Sequence, residues 1–243
     1  LQSKLRRKEK RIVLEGVRLI GDAAAAGVLP EFVLYTPGAA PDQPVAQWIV
    51  RFHEQGVACF ETTPDIMAHI SDTQSPQGII AVVPMPEFTP PLDANLVLIL
   101  DGIADPGNLG TILRTAAAAG ADAVILAPGC VDPYNPKVLR SGMGAHFRVP
   151  LARQAWPDIA AEYGHLAVYL ADAASDLPYY AVDWRQPAGL IIGGEARGAA
   201  TQARQLARAT IAIPMSNAVE SLNAAMAAGV ILFEIRRQRA INR

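Results

Sequence analysis

"LVLILDGIADPGNLGTILRTAAAAGA", residues 96 to 121, decides the fold. Its first five residues are an unbroken apolar run closed by Asp101, the signature of a strand buried on both faces of a parallel sheet. A turn with Gly102, Pro106 and Gly107 follows, and then an Ala-rich helix from Leu109 to Ala119. A strand that passes through a short turn into a helix is the opening of a βαβ unit. Downstream the pattern recurs in DAVIL (122–126), HLAVYLA (165–171), AGLIIGG (188–194) and ATIAIPM (209–215), the last leading into an apolar C-terminal helix. Five buried strands interleaved with helices predict an α/β domain with a mostly parallel sheet, whose ligands bind beyond the carboxyl ends of the strands.

Upstream, VPMPEFTPPLDAN (83–95) holds Pro84, Pro86, Pro90 and Pro91, which exclude helix and central strand. It reads as a linker at 85–94, dividing a domain at 1–84 from one at 95–243. The first domain reads as a basic amphipathic helix through about Ala26, strands at EFVLYT (31–36), GVACF (56–60) and GIIAVV (78–83), and helices at Trp48–Gln55 and after Pro64. That alternation predicts a small α/β domain.

With 51% hydrophobic and 18% charged residues, the chain is globular and not disordered. A net charge of -2 argues against a generally basic nucleic-acid binder, yet the cations are uneven. Lys4, Arg6, Arg7, Lys8, Lys10 and Arg11 fall in the first eleven positions, and four arginines fall in the last eight. Such a run serves either as a solvated surface or as phosphate attraction. Cys59 and Cys130 stand far apart with no CxxC, and His53, His69, His146 and His165 stand singly. A reduced, cytoplasmic protein without a structural metal is expected. No apolar run reaches membrane-spanning length, and none follows the basic start, so neither anchor nor signal peptide is expected. The chain begins at Leu1 and not at Met, which leaves room for an earlier segment.

Three strand ends share a design: each apolar strand closes in glycine or small polar residues and then opens a helix. The first is the stretch quoted above, with Arg114 two turns into its helix. The second is LIIGGEARG (190–198), where Gly193 and Gly194 precede Glu195 and Arg197. The third is IPMSNAVESLNAAMAAGVILFEIRRQR (213–239), which crowds Ser216, Asn217, Ser221 and Asn223 around a helix start. Taken singly, Asn108 and Ser221 equally suit plain helix N-caps, and the glycine pair a tight turn. The dinucleotide fingerprint GxGxxG and the phosphate loop GxxxxGK[ST] are both absent, which disfavours a nucleotide-cofactor oxidoreductase and an NTPase.

Together, NLGTILRTAAAAGA (108–121), IIGGEARG (191–198) and the 213–239 stretch resemble, in order and spacing, the three motifs of the SpoU–TrmH family of RNA ribose 2'-O-methyltransferases, within the SPOUT superfamily. VDPYNPKVLRSGMGAHFRVP (131–150) resembles that family's segment between its first two motifs. LEGVRLIGDAAAAG (14–27) and SPQGIIAVV (75–83) resemble the small ribosomal-protein-like substrate domain that many members carry in front. The resemblance implies a deep trefoil knot in the parallel-sheet domain, which periodicity does not reveal. It implies S-adenosylmethionine as methyl donor, no metal, and a homodimer through the knotted region.

By position, the resemblance makes Asn108, Arg114, Glu195, Ser221 and Asn223 active-site residues. It places Gly193, Gly194, Ile213, Met215, Leu222 and Ala224 against the cofactor. The family's base falls on Arg114, although a guanidinium holds its proton, so a role in stabilising an alkoxide or a neighbouring phosphate suits it better. Lys4, Arg6, Arg7, Lys8 and Arg11, with Arg140 and Arg148, are candidates for the RNA path. Ribosomal RNA is favoured over transfer RNA because of the N-terminal domain, an argument by analogy. A tRNA enzyme and a non-catalytic RNA binder of the same fold stay open as alternatives.

Overall fold

The computed structural model describes residues 3–37, 44–73, 75–91, 93–194, 198–217 and 219–240. In chain order its elements are α1 (Ser3–Glu9), β1 (Arg11–Glu15), α2 (Val17–Ala25), β2 (Phe32–Tyr35), α3 (Pro44–Glu54), β3 (Ala58–Glu61), α4 (Pro64–Ile70) and β4 (Ile79–Pro84). There follow β5 (Leu96–Asp101), α5 (Pro106–Ala119), β6 (Ala123–Leu126), α6 (Pro136–Gly142), β7 (Leu151–Arg153), α7 (Trp156–Tyr163) and β8 (Ala167–Ala171). The last are β9 (Ala188–Gly193), α8 (Thr201–Leu206), β10 (Ala209–Ile211) and α9 (Ala224–Ala240). Two compact units result, one of Leu1–Glu87 with Tyr134–Phe147, the other of Phe88–Pro133 with Arg148–Arg243.

In the N-terminal unit four strands form a mixed sheet in the order β1-β4-β2-β3. β4 runs antiparallel to both neighbours, and β2 pairs parallel with β3. The long basic helix expected through Ala26 is corrected here: it is two helices split by β1. RIVLE alternates exposed and buried positions as a half-buried strand does. Lys10 (φ 50) and Gly16 (φ 94) take the left-handed region on either side of it, which breaks helix propagation. Ile12 and Leu14 point into a core shared with Ile20, Val33 and Phe52. Leu139 and Phe147 join that core, so Tyr134–Phe147 packs with the N-terminal unit although linear order puts it among residues 95–243.

The C-terminal unit holds six parallel strands in the order β10-β8-β9-β5-β6-β7. Five match the apolar runs read from the sequence. β7 was not foreseen, because three residues after Pro150 carry no periodicity. Val97, Ile99 and Ile191 face one side, covered by Trp156 and Ile159 of α7 and Ala203 of α8. The alternate residues face the other way, where α9 packs on β9 and α5. α5 and α9 run side by side in the same direction: Asn108 meets Asn223, Thr115 lies beside Gly229, and Gly120 beside Arg236. Arg239 ties the end of α9 back to the carbonyls of Trp184 (2.8 Å), Asn95 (2.9 Å) and Gln186 (3.1 Å).

Candidate active site

The carboxyl ends of β5, β8, β9 and β10 converge on one edge of the parallel sheet. At the end of β5, buried Asp101 holds both ends of the loop that follows β9. Its main-chain oxygen accepts the N–H of Gly194 at 2.8 Å, and its Oδ2 accepts the N–H of Ala200 at 2.6 Å. The loop lies so close that a Cβ on Gly194 would stand 2.4 Å from the carbonyl oxygen of Gly102, a spacing open to glycine alone. Burial pushes the Asp101 carboxyl above its ordinary value, and the Ala200 N–H draws it partly back. Sequence reading missed this residue, although an acid closing an otherwise apolar strand was its available signal.

Above these strand ends lies a cleft of about 240 Å³. Gly193, Gly194, Ile213, Met215, Leu222 and Ala224, the six positions assigned to the cofactor, all line it, and Ser221 joins them. Among the described residues its charged lining is Asp172, just past β8, and Arg204 of α8, paired at 2.8 Å. The N–H of Ala174 and then Arg204 hold the Asp172 carboxyl below its usual range. Asp172 too escaped the sequence reading, for the same reason as Asp101. Ile213, Met215 and Leu222 give the cleft apolar walls, while Gly193, Gly194 and Gly198 leave backbone amides and carbonyls uncovered there, as recognition of a ligand by main chain requires. Among the described residues no group of three or more His, Cys, Asp or Glu is placed to hold a metal ion.

Beside the cleft the first and third motifs meet. Asp105, not Asn108, is the N-cap of α5, its Oδ1 accepting the N–H of Asn108 at 2.8 Å. Pro106 opens the helix, as its fixed φ allows. The Asn108 side chain is therefore spared from capping and instead accepts from Asn223 Nδ2 at 3.0 Å. Asn223, not Ser221, caps α9: its Oδ1 accepts from the N–H of Ala225 at 2.9 Å and of Met226 at 3.3 Å. Ser221 is exposed. Arg114, two turns along α5, is exposed and makes no hydrogen bond or ion pair with a described residue. Glu195 lies outside the described residues.

The basic positions divide sharply. Lys8 and Arg148 are exposed. Arg11 is spoken for by Glu31 at 2.7 Å and Glu9 at 3.6 Å, and Lys10 by Glu87 at 2.6 Å. Arg6 is only 6% exposed, which corrects its assignment to an open phosphate-binding helix. Arg140 sits half-buried on α6 within the N-terminal unit. The side chains of Lys4 and Arg7 lie outside the described residues. No helix among the described residues is long and apolar enough to cross a membrane.

Residues 1–81 match the MRM3-like substrate binding domain. The chain is 37% identical to rRNA methyltransferase 3A, mitochondrial, of Danio rerio, over 96% of its own length and 65% of that protein's. It is 32% identical to the 23S rRNA (guanosine(2553)-2'-O)-methyltransferase RlmP of Bacillus subtilis (strain 168), over 96% of this chain and 91% of the relative. The SpoU methyltransferase AviRb from Streptomyces viridochromogenes, solved in complex with the cofactor AdoMet, superposes with a TM-score of 0.88 at 29% identity, covering 100% of this chain and 96% of that one. Residues 95–233, which carry the cleft, the Asn108–Asn223 bond and Arg114, match the SpoU rRNA Methylase family, and the chain belongs to that family.

Proposed function

We propose that this protein methylates a ribose 2'-hydroxyl of ribosomal RNA, taking the methyl group from S-adenosylmethionine. The observation that carries the reading is the hydrogen bond from Asn223 to Asn108, which joins two motifs beside a cleft lined by the third. The cleft fits the cofactor chemically: its apolar walls, Ile213, Met215 and Leu222 among them, suit a purine, its glycines expose main-chain partners, and its acid, Asp172, suits a hydroxyl or a cationic centre. When bound there, the cofactor supplies an electrophilic methyl on a sulfonium.

The chain's own work is placement and charge. Gly193, Gly194, Ile213, Met215, Leu222 and Ala224 hold the donor. Asn108, Ser221 and Asn223 orient the ribose so that its 2'-oxygen lies in line with the methyl carbon, the geometry that a displacement demands. Arg114 presents an unengaged fork to the oxygen as it loses its proton, or to the adjoining phosphate, stabilising charge that grows toward the transition state. Glu195 joins this set by its position in the second motif.

Ribosomal RNA is favoured over transfer RNA by the match of residues 1–81 and by the names of the relatives, one bacterial and one mitochondrial. The cytoplasm of a bacterium suits the reading, as that is where such RNA is found. A homodimer is supported by α9, where Met226 (60% exposed), Val230 and Phe233 (51% exposed) form an apolar stripe at helical spacing. The knot is supported by the chain path, which leaves the sheet edge at β10 and returns to lay α9 against β9 and α5. The test is to map ribose methylation at single-nucleotide resolution in cells with and without the protein. A lost mark in ribosomal RNA supports the reading, a lost mark in transfer RNA moves the substrate, and an unchanged map overturns it.

A further inference from the structure

We infer that the N-terminal unit contains a pocket for one unstacked nucleobase of the RNA, whose lining combines the cations Arg6 and Arg140 with the acids Glu15 and Asp72. The inference rests on the RNA substrate proposed above. It names the chemistry by which that substrate is read away from the methyl-transfer cleft.

A cavity of about 100 Å³ lies within this unit, bounded by Arg6 of α1, Glu15 of β1, Asp72 after α4, and Tyr134, Leu139 and Arg140 at α6. At roughly 10–15 Å³ per water-sized group, it admits on the order of eight such groups, the scale of a single base and less than a nucleotide. Arg140 Nη1 is buried and has no hydrogen-bond partner among the described residues. A buried cationic donor left without an acceptor is costly, so an occupant that brings one is favoured. Glu15 is not that acceptor. Its carboxylate is taken up by Ser71 Oγ at 2.5 Å, Thr73 Oγ1 at 2.6 Å and the Asp72 N–H at 3.3 Å.

The charges decide the class of occupant. Two guanidinium groups and two carboxylates cancel, so a phosphate entering the pocket meets two like charges as well as two opposite ones. A neutral ring with an acceptor beside a donor meets both kinds of partner at once. Guanine and uracil carry a carbonyl oxygen next to a ring N–H, which matches an arginine beside an acid. Adenine lacks the carbonyl. Apolar Leu139 and the ring of Tyr134, fixed by its hydroxyl bond to the Pro86 oxygen at 3.2 Å, supply the walls. Sequence-specific readout of RNA proceeds in this way, by splaying single bases onto aromatic and arginine planes.

The experiment uses the full chain and two measurements. Guanosine, uridine, adenosine and inorganic phosphate are titrated separately while chemical shifts of the methyl groups of Leu139 and of Leu19, which also lines the cavity, are followed. Guanosine or uridine is expected to shift them saturably, with adenosine and phosphate inert. Arg140→Leu is then compared with wild type. Removing a half-buried guanidinium whose buried Nη1 lacks an acceptor is expected to leave the melting temperature unchanged or raise it, while affinity for the ribosomal RNA fragment that carries the methylated site falls roughly tenfold or more and AdoMet affinity is unchanged. Saturation by phosphate alone would replace the base pocket by an anion site. Unchanged RNA affinity in a stable Arg140→Leu chain would reduce Arg140 to a structural role. Either outcome overturns the inference. Absence of methyl transfer by wild type sinks the proposed function instead, and the nucleoside titration still decides the pocket.

Discussion

Asn223 caps α9 with its Oδ1 and, through Nδ2 at 3.0 Å, grips Asn108 on the first turn of α5. One amide thus uses its acceptor on a helix end and its donor on a side chain 115 residues earlier. An acid or a serine supplies the cap but not both functions. Asn223→Ala should remove a cap worth about 1 kcal/mol and a hydrogen bond of similar size, lowering the melting temperature by a few degrees. Asn223→Ser keeps a capping oxygen but is too short to reach Asn108. It should regain most of the stability and little of the methyl transfer. Equal recovery of both would show that the bridge to Asn108 is idle.

Arg114 makes no hydrogen bond or ion pair with a described residue, so its removal leaves no polar partner unanswered. Arg114→Ala should leave the fold and AdoMet affinity nearly unchanged while methyl transfer drops by orders of magnitude, because the loss falls on the transition state. Arg114→Lys should recover little, since a point charge does not reproduce the planar fork. Isothermal titration with AdoMet and single-turnover transfer separate the two effects. A lysine variant near wild-type rate would show that positive charge alone suffices.

These side chains also mark what a sequence discloses. β5, β6, β8, β9 and β10 were visible because burial on both faces writes itself as unbroken apolar runs, and the cleft followed from where such runs end in glycine. β1 was hidden because Arg11 and Glu15 gave its ends the look of a charged helix. Asp101 and Asp172 carry no such signal because a strand-terminal acid has no periodicity; its meaning lies in N–H groups supplied by distant chain, Ala200 in the one case and Arg204 in the other. Asp105 takes the cap from Asn108 because the helix begins at Pro106, three residues earlier than the apolar pattern from Leu109 shows. The burial of Arg6 and the half-burial of Arg140 depend on packing between α1, β1 and α6, contacts that no local window contains.

Asp101 yields a prediction about pH. Burial raises its folded value above the ordinary 3.8, so the charged form is disfavoured in the fold. The stability this group contributes is complete below its unfolded value and is lost as pH rises through the raised folded value. Asp101→Asn keeps an oxygen for the Ala200 N–H and cannot ionise. It should therefore melt above wild type near neutral pH, with the gap closing as pH falls to about 4. Asp101→Ala leaves the Ala200 N–H unanswered and should weaken AdoMet binding and speed amide exchange across the loop after β9. A gap between wild type and Asp101→Asn that is flat with pH would contradict the burial argument.

The stripe on α9 tests assembly. Phe233→Glu, or Met226→Glu, places a charge within an exposed apolar strip and should leave secondary structure intact. If the strip joins two copies, sedimentation should show the wild type as a dimer and the variants as monomers. A wild type that sediments as a monomer at micromolar concentration would assign the strip to another partner.

The last prediction concerns cutting the chain at its Pro-rich segment. A protein beginning at Asn95 looks from the sequence like a free-standing domain. Packing argues otherwise, because Tyr134–Phe147 belongs to the N-terminal unit and buries Leu139 and Phe147 in its core. Removing residues 1–94 uncovers both, at about 1.5–3 kcal/mol for each large apolar side chain. Such a chain should aggregate or melt well below the full-length protein. Replacing residues 134–147 by a short Gly/Ser linker in the same truncation should restore solubility and AdoMet binding, since the cleft residues lie outside both deleted pieces. The linker form should bind ribosomal RNA weakly, having lost Lys8, Arg6 and Arg140 together. Equal stability of the two truncated forms would show that the 134–147 segment needs no cover and that the linear division at 95 is the physical one.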